Sequence, residues 1–232
     1  MKLVFLCRRR PDISHAQYVE RVLEGHVPLA LAHHPTMRGY VVNPVESVPD
    51  GLPAIDSVAE LWFDSLADYR ERLYDSEAGR EAIARDVQRF MGGADGYVTT
   101  EHVQKAASGP LATGGRTAGV KLFCPVRRHA DLDHRAFVDH WLGRHVPLAL
   151  RHHPGLCRYV TNVVDARLGD GGAAWDGFAE LHFPSAEALA TGMFDSPEGE
   201  RVIRDDVARF IDRTGAYVVA EHPQRLAPRP PA

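Results

Sequence analysis

An α+β protein built from two copies of one small domain is what the sequence predicts, and three observations lead there. The first is an internal repeat: Lys2 to Asn43 aligns without a gap on Lys121 to Asn162 at an offset of about 119 residues, with HVPLALAHHP (His26 to Pro35) against HVPLALRHHP (His145 to Pro154). The second is that the apolar pattern in each copy switches between strand-like alternation and helical spacing. The third is the segment AASGPLATGGRTAG between the copies, small, Gly-rich and uncharged apart from Arg116, which has the composition of a tether. A period of this length is a domain, not a solenoid repeat.

In the first copy, Lys2 to Cys7 is a β-branched and aromatic run that ends in charge and Pro11, which predicts a strand. Ser14 followed by Gln17 is a capping box, and the helix it opens carries Tyr18, Val19, Val22 and Leu23 at helical spacing. Gly25 weakens that helix, Pro28 opens a second short one over Leu29 to His33, and Pro35 stops it. Gly39 to Asn43 reads as a short strand, and beyond the Pro- and Gly-rich loop Val48 to Leu52 comes the alternating strand Val58 to Phe63. Helices are expected over Leu66 to Tyr74 and about Ser76 to Met91, where the second copy offers Ser196-Pro197 as cap and first helical residue and Gly92-Gly93 supply the stop. Tyr97 to Val103 is the last strand.

Strand, helix, strand, strand, helix, strand is the split βαβ order of a ferredoxin-like unit. Such a unit covers one face of its antiparallel sheet with helices and leaves the other bare, and a bare apolar face requires a partner. The expected organisation is therefore a domain at 1–105, a linker at 106–119, a second domain at 120–225 and a Pro-rich, unfolded tail at 226–232. The linker reaches roughly 45 Å when extended and keeps the halves at millimolar effective concentration. The two ferredoxin-like (βαββαβ) sheets are expected to pack face to face as an intramolecular pseudo-dimer, with a further homodimer left open.

A formal charge of -4 provides no electrostatic reason to bind nucleic acid. Arg8-Arg9-Arg10 is partly repeated by Arg127-Arg128, and either a solvated strand end or an anion contact accounts for it. Cys7, Cys124 and Cys157 fall on Val126, Phe5 and Arg38 in the other copy, so they form neither a disulfide framework nor a zinc spacing. The apolar start is too short for a secretory signal and no stretch has membrane-spanning length, so a cytoplasmic protein without a membrane partner is expected.

The second copy has, in order, Trp141, His145-Val146-Pro147-Leu148-Ala149, Pro154-Gly155, Tyr159-Val160-Thr161-Asn162, Asp176-Gly177-Phe178-Ala179-Glu180 and Glu221-His222. This series resembles the EthD-type branch of the dimeric α/β-barrel proteins. The first copy keeps His26, Tyr40, Asn43, Glu60 and Glu101-His102, but has Val22 for the aromatic, Thr36 for the glycine and Ser57 for Gly177. The resemblance implies a dimeric α/β barrel formed within one chain, with a cavity between sheet and helices where His or Tyr acts on an enolisable or phenolic substrate. Relatives in the wider superfamily include polyketide cyclases, lactone isomerases, decarboxylases and cofactor-independent monooxygenases, and some bind haem.

His26 and His145 follow the first helix of each copy, and an imidazole there either moves a proton near neutral pH or fixes the helix end through a loop carbonyl. Glu60 and Glu180 share a strand face with large apolar groups, so each needs a cationic partner or has a raised pKa. Trp62 is replaced by His182 in the second copy, which would add a second imidazole to His145 and makes that half the expected reactive one. Tyr40, Tyr159, Asn43 and Asn162 are candidates to stabilise an enolate oxygen, or else core and sheet hydrogen-bonding groups, and Trp62 and Trp141 are candidate walls. The doublets His33-His34 and His152-His153 point about 100° apart on a helix, so no metal site is expected from them. The leading expectation is a cofactor-free enzyme acting by His acid–base chemistry on an aromatic, polyketide-like or lactone substrate, by cyclisation, isomerisation, decarboxylation or dehydration. The alternatives are a cofactor-independent monooxygenase and a non-catalytic binder of a hydrophobic molecule or haem.

Overall fold

The structure, a computed structural model, describes residues 1–109 and 111–226. Pro110 of the linker and all of the expected tail beyond Leu226 lie outside the described residues. In the first half β1 (Lys2–Arg9) leads into α1 (His15–Glu20), a π turn (Arg21–His26) and α2 (Val27–His33), followed by β2 (Gly39–Ser47), β3 (Ser57–Trp62), α3 (Leu66–Glu71), α4 (Glu77–Val87) and β4 (Met91–Lys105). The second half repeats this with β5 (Val120–Arg128), α5 (His134–His140), a π turn (Trp141–His145), α6 (Val146–His152), β6 (Arg158–Leu168), β7 (Gly177–Phe183), α7 (Ala186–Gly192) and α8 (Pro197–Phe210). Its last strand is split into β8 (Ile211–Thr214), β9 (Tyr217–Val219) and β10 (His222–Arg225).

The capping box at Ser14 forms as expected, Ser14 Oγ accepting from the Gln17 amide and Gln17 Oε1 from the Ser14 amide. The break expected before Pro28 does not occur. Pro28 has no amide to give and its ring crowds the preceding turn. The chain meets this with the π turn instead, where the Val27 amide reaches back five residues to the Val22 carbonyl. Val146 and Trp141 do the same in the second half. Gly92 and Gly93 also behave differently from expectation: they lie inside β4, which pairs with β1 from its first residue.

Every strand pair is antiparallel. The halves were expected to meet only face to face, yet their edges also pair. β4 of the first half runs beside β6 of the second, and β9 pairs with β5 in its own half and with β2 across the molecule. The ladders thus return on themselves. Pairing the edges satisfies backbone groups that would otherwise be left open at four strand edges.

Alternation along each strand divides the side chains between two faces. Leu3 and Cys7 of β1 join Tyr18, Ile83 and Phe90 beneath the first half's helices, and Leu122 and Val126 of β5 join Phe137, Ile203 and Phe210 beneath the second half's. Val4, Leu6, Val58, Phe123, Phe178 and Tyr217 point the other way into a third cluster shared by both halves. The linker is tied down rather than free, since the amides of Gly114 and Thr117 donate to the carbonyls of Pro223 and Glu221. Among the described residues no helix is long and apolar enough to cross a membrane.

Candidate functional site

A cavity of about 290 Å³ lies between the sheet and the helices of the first half. Its wall is mainly aliphatic and aromatic, and its polar groups are few: His26, His34, Tyr18, Tyr40, Tyr69, Ser57 and Cys7. The π turn ends on His26, and π turns inside helices recur at functional sites. The His26 ring stands edge-on to Phe90 at 5.2 Å between centroids, and its Nδ1 is 3.0 Å from Asp86 Oδ2 of α4. A carboxylate can only accept, so Nδ1 carries the proton and Nε2 is the basic atom of the neutral ring. Burial lowers the His26 pKa from its ordinary value, and Asp86 only partly opposes this. The ring is therefore neutral at pH 7.

Beside it, Tyr18 Oη and Ser57 Oγ are 2.8 Å apart, one hydroxyl donating to the other. Burial pushes the Tyr18 and Tyr40 phenols well above their usual range and the Cys7 thiol up to about 11, so all three stay protonated. They offer hydrogen bonds, not nucleophiles.

In the second half an indole stands at the corresponding place. Trp141 takes the place of Val22 and is fully buried against Phe137, and Gly177 takes the place of Ser57. A Cβ at position 177 would overlap the Trp141 ring, so the glycine is what admits the indole. His145 nonetheless keeps its counterpart geometry, Nδ1 to Asp206 Oδ2 at 3.1 Å and ring to Phe210 at 5.2 Å. Asp206 also accepts from His140 and pairs with Arg144. Burial lowers the His145 pKa too.

On the inner face, the two lysines that open the repeats lie at the centre of a buried ionic cluster. Lys2 Nζ lies 2.7, 2.6 and 2.9 Å from Glu60, Glu180 and Glu101, and Lys121 Nζ lies 2.6, 2.7 and 3.2 Å from Glu60, Glu180 and Glu221. Asn43 Nδ2 donates to Glu60 at 2.8 Å and Asn162 Nδ2 to Glu180 at 2.7 Å. Trp62 covers Lys2 and donates to Glu101, while its replacement His182 meets Arg158 and stands near Glu180 and Glu221. Burial alone would raise the Glu180 carboxyl, but Lys121 and Lys2 bring it well below the carboxylate range; the same opposition, from Lys121, His182 and Arg158, takes Glu221 down to about 2. Burial takes His182 down to about 4.

Several expectations are therefore corrected. His145 and His182 do not share a cavity: β7 turns Glu180 and His182 to the ionic interior, whereas His145 lies on the helix-covered face with Phe210. Tyr40 lines the first cavity, but Asn43, three residues on and so on the opposite face of the strand, bonds Glu60 inside, and Tyr159 and Asn162 are parted in the same way. Glu60 and Glu180 have the cationic partners that their burial requires, Lys2 and Lys121, and these hold the Glu180 carboxyl low. Trp62 belongs to the ionic interior, and Trp141 fills a cavity rather than lining one. The groups not foreseen are Tyr18, Ser57, Asp86 and the two lysines. The reciprocal changes Val22 to Trp141 and Ser57 to Gly177 were the available signal, since one gains the volume the other gives up.

The Arg clusters pair within the molecule, Arg8 with Asp95, Arg9 with Asp56, Arg10 with Asp12, Arg127 with Asp212 and Arg128 with Asp176. His33 and His34 bond separate partners, Asp75 and the Leu73 carbonyl. Among the described residues one trio, Glu180, His182 and Glu221, brings three ligand atoms within 4.8 Å of one another. Its carboxylates already face Lys2, Lys121 and Arg158, and a cation there would have to displace them. Haem fits no better: 290 Å³ is near the floor of the roughly 300–1,000 Å³ that holds drug-sized ligands, too little for a porphyrin.

The family model described as EthD domain matches residues 10–94 and again 129–214. No curated protein matches the sequence. Among solved structures, an anthrone oxidase-like protein is similar at 12% identity with a TM-score of 0.63, covering 97% of this chain and 94% of that one. A monooxygenase-like protein from Lactobacillus acidophilus is similar at 10% identity and a TM-score of 0.54, covering 97% and 95%. A mutant chlorite dismutase from Candidatus Nitrospira defluvii follows at 13% identity and 0.54, covering 96% and 90%. At these identities the likeness is one of fold.

Proposed function

The chain belongs to the EthD family, one family domain in each half, and from that premise we propose that its two ferredoxin-like halves form the one-chain counterpart of a dimeric α/β barrel whose first-half cavity binds a small aromatic molecule. The observation that carries the proposal is the coincidence, in one half only, of an apolar cavity with a neutral His26–Asp86 pair and a Tyr18–Ser57 hydroxyl pair. His26 Nε2 takes a proton from a phenol or from a carbon beside a carbonyl, and Asp86 holds the imidazolium that results. The hydroxyls of Tyr18 and Tyr40 donate to the phenolate or enolate oxygen in a largely apolar site.

The anthrone oxidase-like and monooxygenase-like folds favour oxidation as the fate of that anion over cyclisation, isomerisation, decarboxylation or dehydration. The electron-rich carbanion reduces dioxygen directly: a ring methylene becomes a carbonyl, one O₂ is consumed and one water is released. An oxygen electrode with two- and three-ring probes that carry a ring methylene acidified by a carbonyl, such as 2-tetralone and anthrone, tests this. Turnover is expected to fall by about 10²–10⁴ in His26→Ala; a folded variant that keeps the wild-type rate refutes proton transfer by His26.

A second reading, a non-catalytic binding protein, has one observation in its favour. His145 and Asp206 keep the same geometry in the half where the Trp141 indole fills the space beside them. Binding of a probe without any oxygen uptake or proton transfer would select it.

A further inference from the structure

The second half carries its own image of the ligand. The frames of the two sites correspond: a π turn ending on histidine, the ring against a phenylalanine at 5.2 Å in both halves, and the carboxylate of an aspartate on Nδ1 at 3.0 and 3.1 Å. Inside those frames one half is hollow and the other holds the Trp141 indole over Gly177. Trp141 shares its buried cluster with Tyr159, the counterpart of Tyr40.

Resting on the cavity as the binding site, we propose that the first-half cavity takes a planar two-ring aromatic of indole or naphthalene size, bound where the Trp141 indole lies in the second half, with its polar edge at the Tyr40 hydroxyl and a second polar group at Tyr18–Ser57. Size supports this. A dry cavity of about 150 Å³ in another protein holds one benzene ring, and 290 Å³ is close to twice that. Polarity supports it as well: the second half, whose space is filled by a hydrocarbon-rich ring with a single donor, has Phe137 and Gly177 where the first has the hydroxyls of Tyr18 and Ser57. A chain that plugs one site with indole and keeps two extra hydroxyls in the other is arranged for a hydroxylated bicyclic ligand.

The exchange of the two paired positions tests the proposal by titration calorimetry with 2-naphthol and indole. Wild type is expected to bind one equivalent. Trp141→Val with Gly177→Ser opens the second site and should bring the stoichiometry to two, and Val22→Trp with Ser57→Gly closes the first and should weaken binding at least about 100-fold. Retained affinity in a folded Val22→Trp/Ser57→Gly protein overturns the proposal. So does a wild type that prefers phenol or anthrone to the two-ring probes, a measurement that stands even where a double variant fails to fold. Failure here is separable from failure of the His26 reading: anthrone bound and oxidised with loss in His26→Ala sinks the ring size and spares the base. Two-ring binding with oxygen uptake unchanged in His26→Ala does the reverse.

Discussion

Asp86 serves His26, whereas Asp206 is shared among His145, His140 and Arg144. The same imidazole–carboxylate pair is thus simpler in the half that has a cavity. Burial lowers His26 from its ordinary value of 6.5 and the Asp86 carboxylate works against that shift. In Asp86→Asn the opposing charge is gone, so His26 is expected to titrate lower still, read from its imidazole nitrogen shifts by NMR; a rise would remove Asp86 as the orienting group. The histidine was legible because the repeat preserves it beside a proline. Its aspartate was not, since the partner lies 60 residues along the chain and only helix packing brings it close.

At the scale of the element, local chemistry was read well and register was not. The Ser14–Gln17 box forms around α1, and Ser14→Ala should cost about 1 kcal/mol in urea unfolding. No change in the denaturation midpoint would mean that tertiary packing alone holds the helix start. Pro28 was read as a break, yet packing of Tyr18, Val22, Val27 and Ala30 on one core keeps the helical run together and the π turn absorbs the misfit. Tyr40 and Asn43 looked like one functional pair, but three positions along a strand is an odd step, which turns one to the cavity and the other to the ionic interior.

For the molecule as a whole, the interior is held by crossed charges: each of Glu60 and Glu180 bridges Lys2 of one half and Lys121 of the other. Removing one partner of a buried pair strands the rest, so Lys121→Met should lose about 3–5 kcal/mol at neutral pH. The pH dependence follows from the shifts. His182, taken down to about 4, contributes stability that is present above 6.5 and lost as the pH falls toward 4. Glu221, taken down to about 2, and Glu180, lowered well below 4.5, contribute stability present above 4.5 and lost as the pH falls further. Chemical denaturation from neutral pH down toward the Glu221 value of about 2 should show wild type and Lys121→Met converging as the carboxylates take up protons and need no cation. A constant gap between them would mean that the lysine acts through packing of its stem.

The sequence by itself determined that the chain is a duplicated α+β unit, where its helices start, and which histidines deserved attention, because repeats, caps and periodicity are written in consecutive residues. Only the tertiary structure decided which half holds a cavity. That depends on Trp141 on one element and Gly177 on another meeting ring to backbone, and on Val22 and Ser57 failing to do so. The charged interior was decided in the same way, since Lys2 and Lys121 read as strand starts until closure of the ladders brings them between the two glutamates. Volume and charge are matched across the fold, between residues that no local pattern links.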